Sequence, residues 1–171
     1  MNFFSCKVLA PAVALGLGLG LSGCGGGDDD PLEPGDLEPT TRAASVVVSN
    51  ASNPALNGTY STTGISLTQV VKENLIGSSP EQCKFRFAGL QGPNGVLMDG
   101  DIRYRPGTSS LETMFASIAG IQFSSPGGAN TAVDSNNNEI DLTGKVFNPG
   151  TQSTITVTGS IPMRLGRPEG C

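Results

Sequence analysis

The chain has 171 residues, with 15 acidic and 10 basic side chains and no histidine or tryptophan. Without histidine, neither a Ser-His-Asp nor a Cys-His catalytic arrangement can be assembled, and the commonest zinc ligand is missing. Six of the acids fall between Asp28 and Glu38, whereas from Arg42 onward nine acids meet nine bases, so the larger part of the chain is nearly neutral and carries no nucleic-acid footprint.

The N-terminal residues have the three parts of an export signal. Lys7 is the only basic side chain of a short leading region, and an uncharged apolar run follows from Val8 to Leu21, broken by Pro11 and alternating Leu and Gly. That run is shorter than the roughly 20 apolar residues a spanning helix needs, and its glycines disfavour a stable helix. It ends in Leu21-Ser22-Gly23-Cys24. An apolar residue, two small residues and a cysteine in this position resemble the lipobox of bacterial lipoproteins. The resemblance implies that Leu21, Ser22 and Gly23 are the recognition sequence of a signal peptidase and that residues 1–23 are removed. It also implies that the Cys24 thiol takes a diacylglyceryl group and that the new amine is acylated. Several acyl chains anchor stably where one is marginal. The implied partner is therefore a lipid bilayer. Gly25 rather than Asp follows the cysteine, which among proteobacterial lipoproteins implies the outer membrane of a Gram-negative cell envelope. An ordinary secretory signal with a chance cysteine is the plainer alternative.

Beyond Cys24 the sequence "GGGDDDPLEPGDLEP" has no hydrophobic period. Its prolines and like charges favour an extended chain, making residues 24–42 a flexible acidic tether. Residues 43–171 suit one domain. They are rich in Thr, Ser, Gly, Val and Ile with turn clusters at short intervals, the pattern of antiparallel β structure. The expected fold is all-β: a two-sheet sandwich built from hairpins, with at most one short helix.

In chain order, Ser66 and Gln69 make a capping-box spacing ahead of Val70, Val71 and Leu75, a cue for a short helix over 66–76. In "CKFRFAGLQGPNGVLMDGDIRYRPG" the apolar Cys83, Phe85 and Phe87 alternate with Lys84 and Arg86. Gly92-Pro93-Asn94-Gly95 fits a type I turn. Folding back across it sets Cys83 opposite Tyr104, Lys84 opposite Arg103, Phe85 opposite Ile102 and Arg86 opposite Asp101. Ser109 and Glu112 make a second capping box, with Leu111, Met114, Phe115 and Ile118 at helical spacing over 109–119, and Ala119-Gly120 suggests a hairpin turn within "FASIAGIQF". The strong β character around both helical cues leaves room for one helix at most. A last hairpin turns at Asn148-Pro149-Gly150, a type II sequence. It places Ile140, Leu142 and Val146 on one face with Ile155, Val157 and Ile161, and Thr154, Thr156 and Thr158 outside.

Little of this chemistry is catalytic. There is no G-x-S-x-G, S-x-x-K or P-loop sequence, and no cofactor is expected. Asp99 and Asp101 share a strand face, and paired carboxylates can divide acid and base roles, but neighbouring Arg86 and Arg103 favour both ionised forms. Asp134, Asn136 and Asn138 alternate as calcium ligands do, with Asp141 as a further ligand, yet Glu139 and Lys145 stand where an EF-hand needs Gly and Glu. A polar turn is the simpler reading, so no metal is assigned. Lys84, Arg86, Arg103 and Arg105 would form a small basic patch on one sheet face, able to receive an anionic lipid headgroup or an acidic envelope protein. With Cys6 leaving in the signal and Cys24 acylated, Cys83 and Cys171 remain in an oxidising compartment and are expected to pair, two free thiols or an intermolecular bridge being the alternatives. The expected function is a membrane-anchored lipoprotein with a non-enzymatic binding or structural domain. The alternative is a carboxylate-dependent hydrolase using Asp99 and Asp101, which an Asp99→Asn/Asp101→Asn variant with full function would exclude.

Overall fold

The computed structural model describes residues 35–73, 81–147 and 153–171. Twelve strands account for most of them: β1 (Glu38–Pro39), β2 (Ala44–Ser49), β3 (Gly58–Thr62), β4 (Ser66–Leu67), β5 (Val71–Glu73), β6 (Gln82–Gln91), β7 (Leu97–Tyr104), β8 (Leu111–Ile118), β9 (Ile121–Pro126), β10 (Thr131–Asp134), β11 (Glu139–Phe147) and β12 (Ile155–Pro162). Among the described residues there is no α-helix, only 3-10 turns at Pro54–Leu56 and Pro93–Gly95.

The strands form one antiparallel sheet in the order β10-β11-β12-β2-β3-β6-β7-β8-β9, with β4 and β5 also paired to β6 and β1 paired to β4. The two sheets of the expected sandwich are therefore joined into a single sheet curled into a half-barrel. The join is narrow, because β3 hands the ladder to β6 through the single pair Ser61↔Gln91. At the far side, individual bonds instead of a ladder join the neighbourhood of β8 and β9 to β10 and β11 among the described residues. Val133 N donates to Ser109 O at 2.9 Å, Ser125 Oγ to Val146 O at 2.6 Å and Lys145 Nζ to Gly127 O at 2.6 Å.

The concave face holds the core. Phe85, Phe87, Met98, Ile102, Tyr104, Met114, Phe123, Ile140, Phe147, Val157 and Ile161 are all fully buried. The tyrosine hydroxyls inside it find acceptors, Tyr104 at Cys171 O (2.7 Å) and Tyr60 at Leu56 O (3.0 Å), so their burial leaves no donor unsatisfied.

The β6–β7 hairpin has the register read from its alternation: Cys83↔Tyr104, Lys84↔Arg103, Phe85↔Ile102 and Arg86↔Asp101. Its connection differs from a simple type I turn, because Asn94 takes φ 57° and ψ 24°; Gly95 N bonds Gly92 O while Val96 N bonds Pro93 O, giving two overlapping turns. The turn at Ala119-Gly120 is present, with φ 53° and 77° and Ile118 paired to Ile121. Positive φ at both central residues matches the right-handed twist of the flanking strands. The Asn148-Pro149-Gly150 turn and Leu75 lie outside the described residues.

Within the described residues, both helical cues run as strands. Ser66–Leu67 pairs with β1 and β6, Val71–Glu73 pairs with β6, and Leu111–Ile118 is laddered on both sides. The reason in β8 is a register irregularity. Arg103 faces Thr113 while Tyr104 faces Leu111, so Glu112 is an extra residue and both Leu111 and Met114 point inward. Inward residues three apart imitate helical spacing.

The same device overturns part of the β11 reading. Leu142 faces Gly159 and Lys145 faces Val157, so the chain gains a residue at Thr143–Gly144, where Gly144 adopts φ 68°. A bulge reverses the alternation beyond it. Val146, expected inside, is 52% exposed, while Lys145 is 3% exposed and Phe147 fills the core.

The folded part also starts earlier than residue 43. Glu38 and Pro39 pair with Leu67 and Ser66, Thr40 N and Oγ1 donate to Ile65 O, and the Arg42 guanidinium donates to the carbonyls of Asn137, Asn138 and Met163.

Candidate functional site

The convex face of β6, β7 and β8 carries the charged residues that the sequence singled out. It exists because Lys84 and Arg86 alternate with buried Cys83, Phe85 and Phe87, and Asp99, Asp101 and Arg103 alternate with buried Met98 and Ile102. Of the expected basic patch, Lys84, Arg103 and Arg105 each hold a carboxylate. Lys84 Nζ lies 3.1 Å from Glu73 Oε1, Arg103 Nε 2.7 Å from Asp101 Oδ1 and Arg105 Nη2 3.2 Å from Glu112 Oε1. The like charges facing each other at Lys84↔Arg103 thus turn apart, one to β5 and one along β7. Arg86 stands opposite Asp101.

Three contributors escaped the sequence reading. Glu73 and Glu112 lie in the two segments that carry a helical cue, and the Glu112 carboxylate also accepts from the buried Gln82 amide at 2.6 Å. That bond, with Arg105 adding to it, holds the Glu112 carboxyl below its ordinary value. Phe115 shares the helical spacing of Leu111, Met114 and Ile118 in the sequence. On β8 it faces outward, 41% exposed, with the Arg103 guanidinium carbon 5.3 Å from its ring centroid. Strand parity from Ala119-Gly120 backwards would have found it.

Arg103 and Phe115 border a shallow groove also lined by Arg86, Asp99, Asp101, Ser117 and Gln122. It offers an aromatic ring with a guanidinium over it, carboxylates, a hydroxyl and an amide. Both carboxylates in it already have partners. Asp101 is occupied by Arg103, and Asp99 Oδ1 accepts the Gly89 N–H at 3.0 Å, satisfying an amide at the β6 bulge, where the register shifts between Phe87 and Leu90.

The calcium candidate is a turn. Asp134 Oδ1 accepts the N–H groups of Asn136 and Asn137 at 2.9 and 3.0 Å, and Oδ2 accepts Asn137 Nδ2 at 2.9 Å. The bond from the Asn137 backbone does most to hold its carboxyl below the ordinary value. Asn138 takes φ 56°, and its carbonyl, with that of Asn137, serves Arg42. The carboxylates of Asp134, Glu139 and Asp141, by contrast, come within 4.8 Å of one another.

Cys83 and Cys171 form a disulfide with sulfurs 2.02 Å and Cα atoms 5.7 Å apart. The sequence placed Cys83 inward by its parity with Phe85, and it is fully buried. Cys24 and the preceding Leu21, Ser22 and Gly23 lie outside the described residues. No protein-family model matches this chain, and no curated protein or solved structure matches it either.

Proposed function

We propose that this chain is a lipoprotein of the Gram-negative cell envelope, anchored in the outer membrane by an acylated Cys24, and that its half-barrel is a non-enzymatic binding or support module. Residues 1–23 act as the signal peptide, and the acidic stretch after Cys24 links the domain to its lipid anchor. The observation that carries this reading is Leu21-Ser22-Gly23-Cys24 at the junction between an apolar run and a glycine–aspartate run. The Cys83–Cys171 disulfide supports it, because such bridges persist in oxidising compartments.

The binding surface in this reading is the groove of Arg103, Phe115, Ser117 and Gln122. Arg103 within it, and Lys84 and Arg105 elsewhere on the basic patch, already hold carboxylates, so an acidic segment of an envelope protein or an anionic headgroup binds there by exchanging ion pairs, which predicts weak, salt-sensitive association.

The test is intact-mass and peptide mass spectrometry of the protein extracted from membranes of its native host. The expected result is a mature chain beginning at Cys24 and carrying acyl mass. A soluble mature form with an unmodified Cys24 thiol would overturn the proposal.

A further inference from the structure

We infer that the end of the half-barrel around Leu37 and Leu165 rests on the bilayer, with the Leu165 loop dipping into the headgroup region. This inference rests on the lipid anchor proposed above and adds to it an orientation and a second contact.

Leu165 is the most exposed large apolar side chain among the described residues, at 71%, and Leu37 is 40% exposed. Both adjoin one ion pair, in which Arg164 Nη1 donates to Glu38 Oε2. Arg42 ties the same region together by donating to Met163 O at 2.8 Å. The two leucines therefore belong to one end of the molecule. The exposure of Leu165 does not come from a loose loop. Met163 before it is fully buried, and Arg167 after it donates to Cys171 O and, at 3.1 Å, to Ser135 O. Cys171 is in turn fixed by its disulfide. A held turn that presents a bare leucine between two arginines has the chemistry of an interfacial contact, with the apolar tip among acyl chains and the guanidinium groups at phosphate level.

The length of chain before the domain makes the bilayer the occupant. From Cys24 to Gly35 the sequence advances 35 − 24 = 11 residues, which fully extended reach about 40 Å at roughly 3.6 Å each. An acyl group on Cys24 thus keeps Glu38 and its neighbours within reach of the membrane surface. Tethering turns a weak contact into an intramolecular one.

The chain has no tryptophan, so single reporters can be placed cleanly. Leu165→Trp and Leu37→Trp mark the proposed contact. Val146→Trp is the control: Val146 pairs with Thr156, at the other end of β12 from Pro162. Each mature, membrane-extracted protein is reconstituted into vesicles of phosphatidylethanolamine with a minority of phosphatidylglycerol, with and without brominated acyl chains, and its mass is read in parallel. The expected result is a blue-shifted emission that bromine quenches at positions 165 and 37, with neither effect at 146. Acylated protein with no quenching at 165 and 37, or with equal quenching at all three positions, overturns the orientation and leaves the anchor standing. Protein without acyl mass overturns the anchor, and this inference falls with it.

Discussion

The amine of Lys145 is enclosed by the core yet carries no carboxylate partner among the described residues; its Nζ donates to Gly127 O at 2.6 Å. Taking an ammonium group out of water disfavours the charged form, and burial accordingly lowers the Lys145 pKa from its ordinary 10.5. Between the lowered folded value and the ordinary unfolded one, the unfolded chain binds more protons. Stability from this residue therefore rises with pH through that window, and the penalty is fully present below it. Lys145→Met has no such titration. Denaturant unfolding of wild type and variant at a series of alkaline pH values should show the wild type gaining on the variant as pH rises towards 10.5. A pH-independent difference would mean that the amine has the same affinity for protons in both states. The neutral-pH stability of the variant reflects two opposed effects, removal of a buried charge and loss of the donor to Gly127 O.

Strands with an extra residue mark the boundary of what could be read from the sequence. Strict alternation from Cys83 to Phe87 gave the β6–β7 register correctly, because a one-residue slip there would expose every aromatic side chain. Alternation then failed at three places with one geometry: Phe87 to Leu90, Leu111 to Met114, and Leu142 to Lys145 are all inward pairs three residues apart. In β8 that spacing looks helical, which hides the outward Phe115 of the candidate groove and, apart from the groove, the partner role of Glu112. In β11 it put Val146 inside and Lys145 outside, because period-two counting passes through a bulge without noticing it. The local signal at the third site is Gly144, whose φ of 68° lies in the left-handed region. A side chain there strains the backbone even though an added Cβ meets nothing within 4 Å. Gly144→Ala should therefore lower the free energy of unfolding by about 1–2 kcal/mol. An unchanged denaturation midpoint would show that the bulge relaxes at little cost.

The molecule as a whole is a curled ladder whose two ends meet through a few bonds, with a covalent link from its middle to the segment after β12. The long-range character is strong: β12 pairs with β2 across more than 100 residues of sequence, so the unfolded chain must close large loops before these contacts form. The Cys83–Cys171 disulfide spans 88 residues, and in the chain-entropy view a loop of that size removes about 4–5 kcal/mol of freedom from the unfolded state. The bridge also holds Cys171 O where Tyr104 and Arg167 donate to it, inside a core whose Cys83 end is fully buried. Replacing both residues, Cys83→Ala/Cys171→Ala, removes the loop constraint and the anchor for those donors without leaving a thiol. We expect the free energy of unfolding to fall by up to about 4–5 kcal/mol. The denaturant slope should become steeper at the same time, because an unbridged unfolded chain exposes more surface. Chemical denaturation followed by two spectroscopic probes reads both quantities. A fall in stability with an unchanged slope would place the effect in the lost contacts of Tyr104 and Arg167. No fall at all would mean that the bridge adds nothing to what the curled sheet already holds together.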